Sequence, residues 1–275
     1  MDNAQLLDTA IEAATIGGRH ALENISRRKD TAAVYAHDIK LVLDRECQEH
    51  ITAYLAKRCP GHAILGEEDR PGEAQTDLAA DACEWILDPI DGTVNFYHGL
   101  PIWCCSVAVR RGGEILAGAV YAPELDALYA GAAGQASTCN GKPIRVSATP
   151  ALDQAIVMTG LDKQLGTDRA PLSVFSAIAL NTRKARVAGA AAVDLCWVAA
   201  GGADGYFEGS IYIWDIAAAK VIIEGAGGRC EVMRRYPEAH RLQFIATNGR
   251  IHQELKACLA AVGIEPQPDA PLFTS

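Results

Sequence analysis

The sequence predicts a layered α/β fold, on three observations. Apolar residues recur at helical spacing over residues 3 to 25 and again from 44 to 59; short apolar runs bounded by tight turns follow one another from residue 63; and beyond residue 150 strand-like and helix-like segments alternate. No internal repeat or low-complexity linker interrupts them, which favours stacked layers over separable modules. A chain of 275 residues is long enough to bury a large core, as one layered domain or as two closely packed halves.

Taken in order, the first helix carries Leu6, Leu7, Ala10, Ile11, Ala14, Ala21, Leu22 and Ile25 on one face, with Gly17-Gly18 as a soft point or a close-packing site. Residues 27 to 37 are polar and read as a mobile loop. A second helix starts at Asp44, turns Cys47, Ile51, Tyr54 and Leu55 inward, and stops at Cys59-Pro60-Gly61. Strands are expected at 63 to 65, 84 to 88, 102 to 109, 115 to 121 and 126 to 130, with tight turns such as Arg111-Gly112-Gly113-Glu114 between them. The run 139 to 146 is a turn feeding a strand, and 147 to 153 crosses into a second half. The chain therefore divides into an α+β half, 1 to 148, and an α/β half, 149 to 275. In the latter, strands at 155 to 159, 185 to 188 and 204 to 208 alternate with helices at 170 to 181, at 190 to 201 and from Asp215 to about Gly225.

Composition narrows the function. A net charge of -9 repels nucleic-acid phosphates and anionic membranes, so neither is an expected partner. No apolar stretch approaches the ~20 residues of a membrane span, and the first residues lack a basic leader, so the expectation is a soluble cytoplasmic protein. Nine cysteines, an odd number without a Cys-x-x-Cys pair, read as reduced packing residues. Cys104 and Cys105 would face opposite sides of a strand, which argues against joint metal ligation.

Chemistry concentrates in residues 85 to 96, Trp-Ile-Leu-Asp-Pro-Ile-Asp-Gly-Thr-Val-Asn-Phe. An apolar strand runs into Asp88 and Asp91, separated by Pro89, whose fixed φ and missing N–H turn the chain so that both carboxylates and the Ile90 carbonyl converge. Crowded hard oxygens suit Mg²⁺. Gly92 and Thr93 then offer backbone N–H groups and a hydroxyl where a helix begins, a setting that stabilises phosphate. The plain alternative, an Asp-Pro turn with solvated acids, leaves the apolar lead-in and the Gly-Thr step unexplained.

Asp88-Pro89-Ile90-Asp91-Gly92-Thr93 resembles the first signature of the inositol monophosphatase family of Mg²⁺-dependent phosphatases. Gly66-Glu67-Glu68-Asp69 resembles that family's acidic loop, and Trp214-Asp215-Ile216-Ala217-Ala218-Ala219 with Ala226-Gly227-Gly228 its second signature, all in the family's order. The resemblance implies an α-β-α-β-α sandwich, a homodimer, and two or three Mg²⁺ ions held by Glu67, Asp88, the Ile90 carbonyl, Asp91 and Asp215. It further implies that Glu67 and Thr93 orient and deprotonate the attacking water. Asp91, Gly92, Thr93, Gly189, Ala190, Ala191, Glu208 and Asp215 would line the substrate. Asp215 also suits a helix N-cap, Glu208 a solvated acid, and the small residues after Arg186 plain helix packing.

Two departures stand out. The Ser or Thr usual after the family's glycine is Ala190, and the Val-Thr pair between two acids becomes Lys40-Leu41 in Asp38-Ile39-Lys40-Leu41-Val42-Leu43-Asp44. Asp38 and Asp44 match; Asp44 is either catalytic or a helix cap, and Lys29 or Lys40 stands in for a lysine of the family's mobile loop. The expected activity is hydrolysis of a small polyol or sugar phosphate, inositol monophosphate first. The alternatives are a 3′(2′),5′-bisphosphate nucleotidase, a fructose-1,6-bisphosphatase, or a protein-binding regulator on a phosphatase scaffold.

Overall fold

The computed structural model describes all residues except 35–38, 70–81, 162–169, 237–239, 268–269, 271 and 274–275. Helix α1 (Asn3–Glu23) opens on a reciprocal cap: Asp2 accepts the Gln5 N–H at 2.9 Å while the Gln5 side chain accepts the Asp2 N–H at 3.1 Å. A short hairpin, β1 (Thr31–Val34) with β2 (Ile39–Leu41), leads into α2 (Val42–Arg58). Then come β3 (Ala63–Gly66), β4 (Cys83–Asp91), α3 (Thr93–His98), β5 (Cys104–Arg111), β6 (Glu114–Ala122), β7 (Ala127–Ala132), β8 (Thr138–Cys139) and β9 (Lys142–Pro143). These strands form one sheet in chain order, with β3 parallel to β4 and the rest antiparallel.

The remaining elements are β10 (Ile156–Thr159), α4 (Ala170–Asn181), β11 (Lys184–Arg186), α5 (Ala191–Ala199), β12 (Gly205–Tyr212), α6 (Ile213–Gly225), β13 (Arg229–Arg235), β14 (Arg241–Thr247) and α7 (His252–Ala260). They build a second sheet of order β11-β10-β12-β14-β13, parallel across its first three strands. Helices α1 and α2 cover the outer face of the first sheet, α5 and α6 lie between the sheets, and α4 and α7 pack together on the outer side of the second. The result is the expected α-β-α-β-α sandwich.

Small residues set the layer spacing. A Cβ on Gly17 would meet Ile51 at 2.7 Å and the Cys105 sulfur at 2.8 Å, so the glycine pair in α1 is a close-packing site. Cys104 faces the core between the sheets and Cys105 the core under α1, the alternation expected of one strand. All nine cysteines are free thiols.

Several boundaries differ from the sequence reading. Part of the supposed loop at 27 to 37 is strand β1, which pairs only with β2 and stays largely exposed, so no burial period marks it in the sequence; residues 35–38, including Asp38, lie outside the described residues. The helices expected to start at Asp44 and Asp215 start two residues earlier, leaving each acid inside the first turn. Strand β12 runs on to Tyr212 through an irregularity between Glu208 and Ile211. Pro89 does not end β4: the strand continues to Asp91, with the register against β5 slipping between Asp88 and Asp91. There a missing N–H is harmless.

Candidate active site

The slipped register at Pro89-Ile90 explains how two acids three residues apart serve one point. In a regular strand Asp88 and Asp91 would face opposite sides, whereas three steps on β4 oppose only two on β5, from Ser106 to Cys104. Asp215 reaches the same place from the first turn of α6, where its carboxylate accepts the Tyr212 N–H at 3.0 Å. One oxygen of each of Asp88, Asp91 and Asp215 lies within 4.8 Å of the others.

Asp91 also ties the two sheets together. Its two oxygens accept the Ala191 and Ala192 N–H groups at 3.1 and 2.7 Å, so it caps α5 from across the cleft and draws on that helix's positive end. The Ala191 donor is thus turned to Asp91. Gly92, at φ +87°, leaves no room for a side chain, since a Cβ would sit 2.9 Å from both Ala190 Cβ and the Ile102 carbonyl. Asn95 stitches the same seam by donating to the Ile102 and Ala188 carbonyls, each at 2.8 Å, beside Gly189 at φ +88°. Thr93 donates its hydroxyl to the Ile90 carbonyl at 2.9 Å, which leaves the oxygen's lone pairs as acceptors.

Glu67 follows β3 and donates its N–H to the Leu87 carbonyl at 3.1 Å, level with the acids of β4. The acidic loop is held by Gln48 of α2, which bonds the Glu68 N–H and Asp69. Lys40, rather than Lys29, reaches this end of the cleft, with its ammonium 2.6 Å from Glu67 Oε1 and 2.6 Å from Glu68 Oε1. Lys29 instead lies over the Tyr97 ring. Asp44 is 2% exposed; one oxygen accepts the Leu41 N–H at 2.8 Å and the other is buried without a hydrogen-bond partner.

Electrostatics mark the cluster as unfinished without a cation. Burial and then the charges of Glu67, Asp91 and Asp215 push Asp88 well above the carboxylate range, and its Oδ1 is buried without a partner. Asp215 is raised well up by burial and by Asp91 and Glu67. Burial lifts Asp91 to about 6, less than its neighbours, because two backbone N–H groups and the Cys104 thiol favour its charge. Such a donor set, all oxygen and short of positive charge, fits a hard divalent ion.

Glu208, at the irregularity of β12, accepts a hydrogen bond from the Tyr206 hydroxyl. Beside it the sequence reading missed Asp194, an acid 2% exposed on α5 with a buried unpartnered oxygen. Burial, then the charges of Asp91 and Glu208, lift it to about 8. Its one signal was an acid inside the apolar run Ala191-Ala-Val-Asp-Leu-Cys-Trp-Val-Ala199.

Layers of this order, with carboxylates gathered where a strand bulge meets two helix starts, are the plan of a metal-dependent phosphatase. The chain belongs to the inositol monophosphatase family, which residues 2–262 match. An inositol-1-monophosphatase of Synechocystis is 37% identical over 229 residues, covering 82% of this chain and 78% of that protein. A protein of Aquifex aeolicus named fructose-1,6-bisphosphatase/inositol-1-monophosphatase is 35% identical over 81% of this chain and 83% of its own length. The Nus factor SuhB of Pseudomonas aeruginosa is 34% identical over 81% and 83%. Among solved structures, inositol monophosphatase from Anabaena superposes with a TM-score of 0.79 at 30% identity, covering 93% of this chain and 95% of that one.

Proposed function

We propose that the chain hydrolyses the phosphate monoester of a small polyol or sugar, inositol monophosphate foremost, with Mg²⁺ as the ion and two or three ions per site. The observation that carries this reading is the orphaned Asp88 oxygen, buried beside Asp91 and Asp215 and without a hydrogen-bond partner among the described residues. Glu67, Asp88, the Ile90 carbonyl, Asp91 and Asp215 would hold the ions. Bound Mg²⁺ would neutralise the phosphoryl oxygens, lower the pKa of water and stabilise the leaving alkoxide.

The chain's own groups then position and move protons. The Thr93 oxygen accepts from the attacking water, and Glu67 takes its proton; Asp44 stands behind this end of the cleft, its unpartnered oxygen available to the same water network. Gly92 and Thr93 present N–H groups to the phosphate where the left-handed turn opens α3. Gly189 and Ala190 line the substrate by backbone, and Glu208 accepts a ring hydroxyl. The lost hydroxyl at Ala190, whose methyl is buried against Gly92, leaves that wall to backbone.

Family resemblance supports a homodimer, and nine free thiols fit a reducing cytoplasm. No helix among the described residues is long and apolar enough to cross a membrane. The division at 148/149 falls between the last strand of the first sheet and the first of the second, which supports two halves sharing one cleft. The Aquifex relative keeps a sugar bisphosphate as a second substrate, and the SuhB relative keeps a regulatory role open. The test is phosphate release with Mg²⁺ over inositol, sugar and nucleotide phosphates. Polyol phosphates should be preferred, and Asp91→Asn should abolish turnover in a folded protein. Near-normal turnover by that variant would remove the site.

A further inference from the structure

Lys40 stands where the resembling family carries an apolar residue of its Val-Thr pair, and the next position, Leu41, has no hydroxyl. Leu41 is buried in the cluster of Ala21, Leu43 and Phe96, so β2 is fixed and its lysine is delivered to the cleft by the alternation of the strand. The ammonium bridges Glu67 Oε1 and Glu68 Oε1 at 2.6 Å each. Glu68 is in turn held by α2, its carbonyl accepting from Arg45 at 2.8 Å and its N–H donating to Gln48 at 3.0 Å. The lysine is therefore seated between two carboxylates, one of them on a main chain fixed by α2.

A divalent ion on the same Glu67 oxygen, at about 2.1 Å, would lie within roughly 5 Å of that ammonium wherever it sat around the oxygen. Like charges so close, in a partly buried cleft, disfavour each other strongly. Among the described residues, Asp44 spends one oxygen on the Leu41 N–H and keeps the other buried, and Leu41 offers no donor from its side chain.

We propose that the Lys40 ammonium is a tethered monovalent cation at the Glu67–Glu68 end of the cleft, so that Glu67 serves the ions gathered around Asp88, Asp91 and Asp215 only through its other oxygen and the chain takes no further ion between Glu67 and Asp44. The proposal rests on the metal-dependent reading above and narrows its ion number to two. Lys40 acts as a positioning residue, holding Glu67 Oε1 beside Glu68.

The experiment counts Mn²⁺ bound per chain by equilibrium dialysis and calorimetry, on wild type, Lys40→Met and Lys40→Arg, with circular dichroism to verify folding. Wild type and Lys40→Arg should each bind two ions, and Lys40→Met should gain one more of micromolar to millimolar affinity. Equal counts in wild type and Lys40→Met, or three ions in wild type, would overturn the tether while leaving the phosphatase reading in place. Should wild type bind no ion, the phosphatase reading falls and the tether with it. If Lys40→Met fails to fold, Glu68→Gln, which removes only the lysine's second anchor, should raise the affinity for the extra ion at least several-fold; no change would again overturn the tether.

Discussion

Glu208 carries the substrate question at the scale of one residue. Its carboxylate is pre-set by the Tyr206 hydroxyl and by the irregularity that interrupts the pairing of β12 with β14 between Glu208 and Ile211, and bulges of this kind re-aim side chains beside active sites. Close packing against Gly160, where any Cβ would run into the carboxylate, fixes it further. A carboxylate accepting from a ring hydroxyl makes a charge-assisted bond, so Glu208→Gln should cost roughly 1 to 3 kcal/mol of transition-state stabilisation for a polyol phosphate. Aryl phosphates lack that hydroxyl and should be hydrolysed as before. The measurement is the ratio of kcat/KM for polyol over aryl phosphate in wild type and variant; an unchanged ratio would return Glu208 to a packing role and favour a sugar bisphosphate or nucleotide.

At the scale of the element, α5 carries a buried acid with no counter-ion among the described residues, and the sign of its effect on stability follows. Asp194 has an ordinary value of 3.8 and is lifted to about 8 in the folded chain. Below pH 4 both states hold the proton; between 4 and 8 the unfolded chain has released it and the folded chain has not, so stability falls across that window. Asp194→Asn removes the slope. The metal-free variant should equal wild type near pH 4 and exceed it at pH 8 by roughly 1 to 3 kcal/mol in denaturant unfolding, whereas equal stability at both would mean that the carboxylate is solvated. Elements also show what the sequence made legible. The helix α1 and strands β4 to β7 could be read because period and turns agree with burial. Strands β13 and β14 and helix α7 were not assigned from sequence. Their pattern is broken by charges such as Glu231 and Lys256, which are satisfied only in three dimensions, through Glu231 bonding both His252 and Lys256. Likewise the order of Asp88 and Asp91 was plain, but the register slip that turns both to one side was not, since it depends on what β5 places opposite.

Across the whole molecule, the cleft joins two sheets through carboxylates that favour the proton over the empty, charged state. Asp91 at about 6, with Asp88 and Asp215 higher, makes metal-free stability decline as pH rises from about 4 through 6 and beyond. A divalent ion binds the deprotonated acids, so its stabilisation should grow over the same range, because fewer protons compete for the site. At a hundred times Kd the gain is about 2.7 kcal/mol for one ion. For a chain of this size that corresponds to a rise in Tm of about 5 °C at pH 8, shrinking toward pH 5. Because Asp91 caps α5 from β4, the ion also secures the contact between sheets, and proteolysis of both halves should slow together when Mg²⁺ is added. Differential scanning calorimetry with and without Mg²⁺ at several pH values measures the first effect. A Tm indifferent to Mg²⁺ at every pH, with no heat of binding, would mean that the acids are accommodated by protonation alone, and would move the chain toward the regulatory reading that its SuhB relative keeps open.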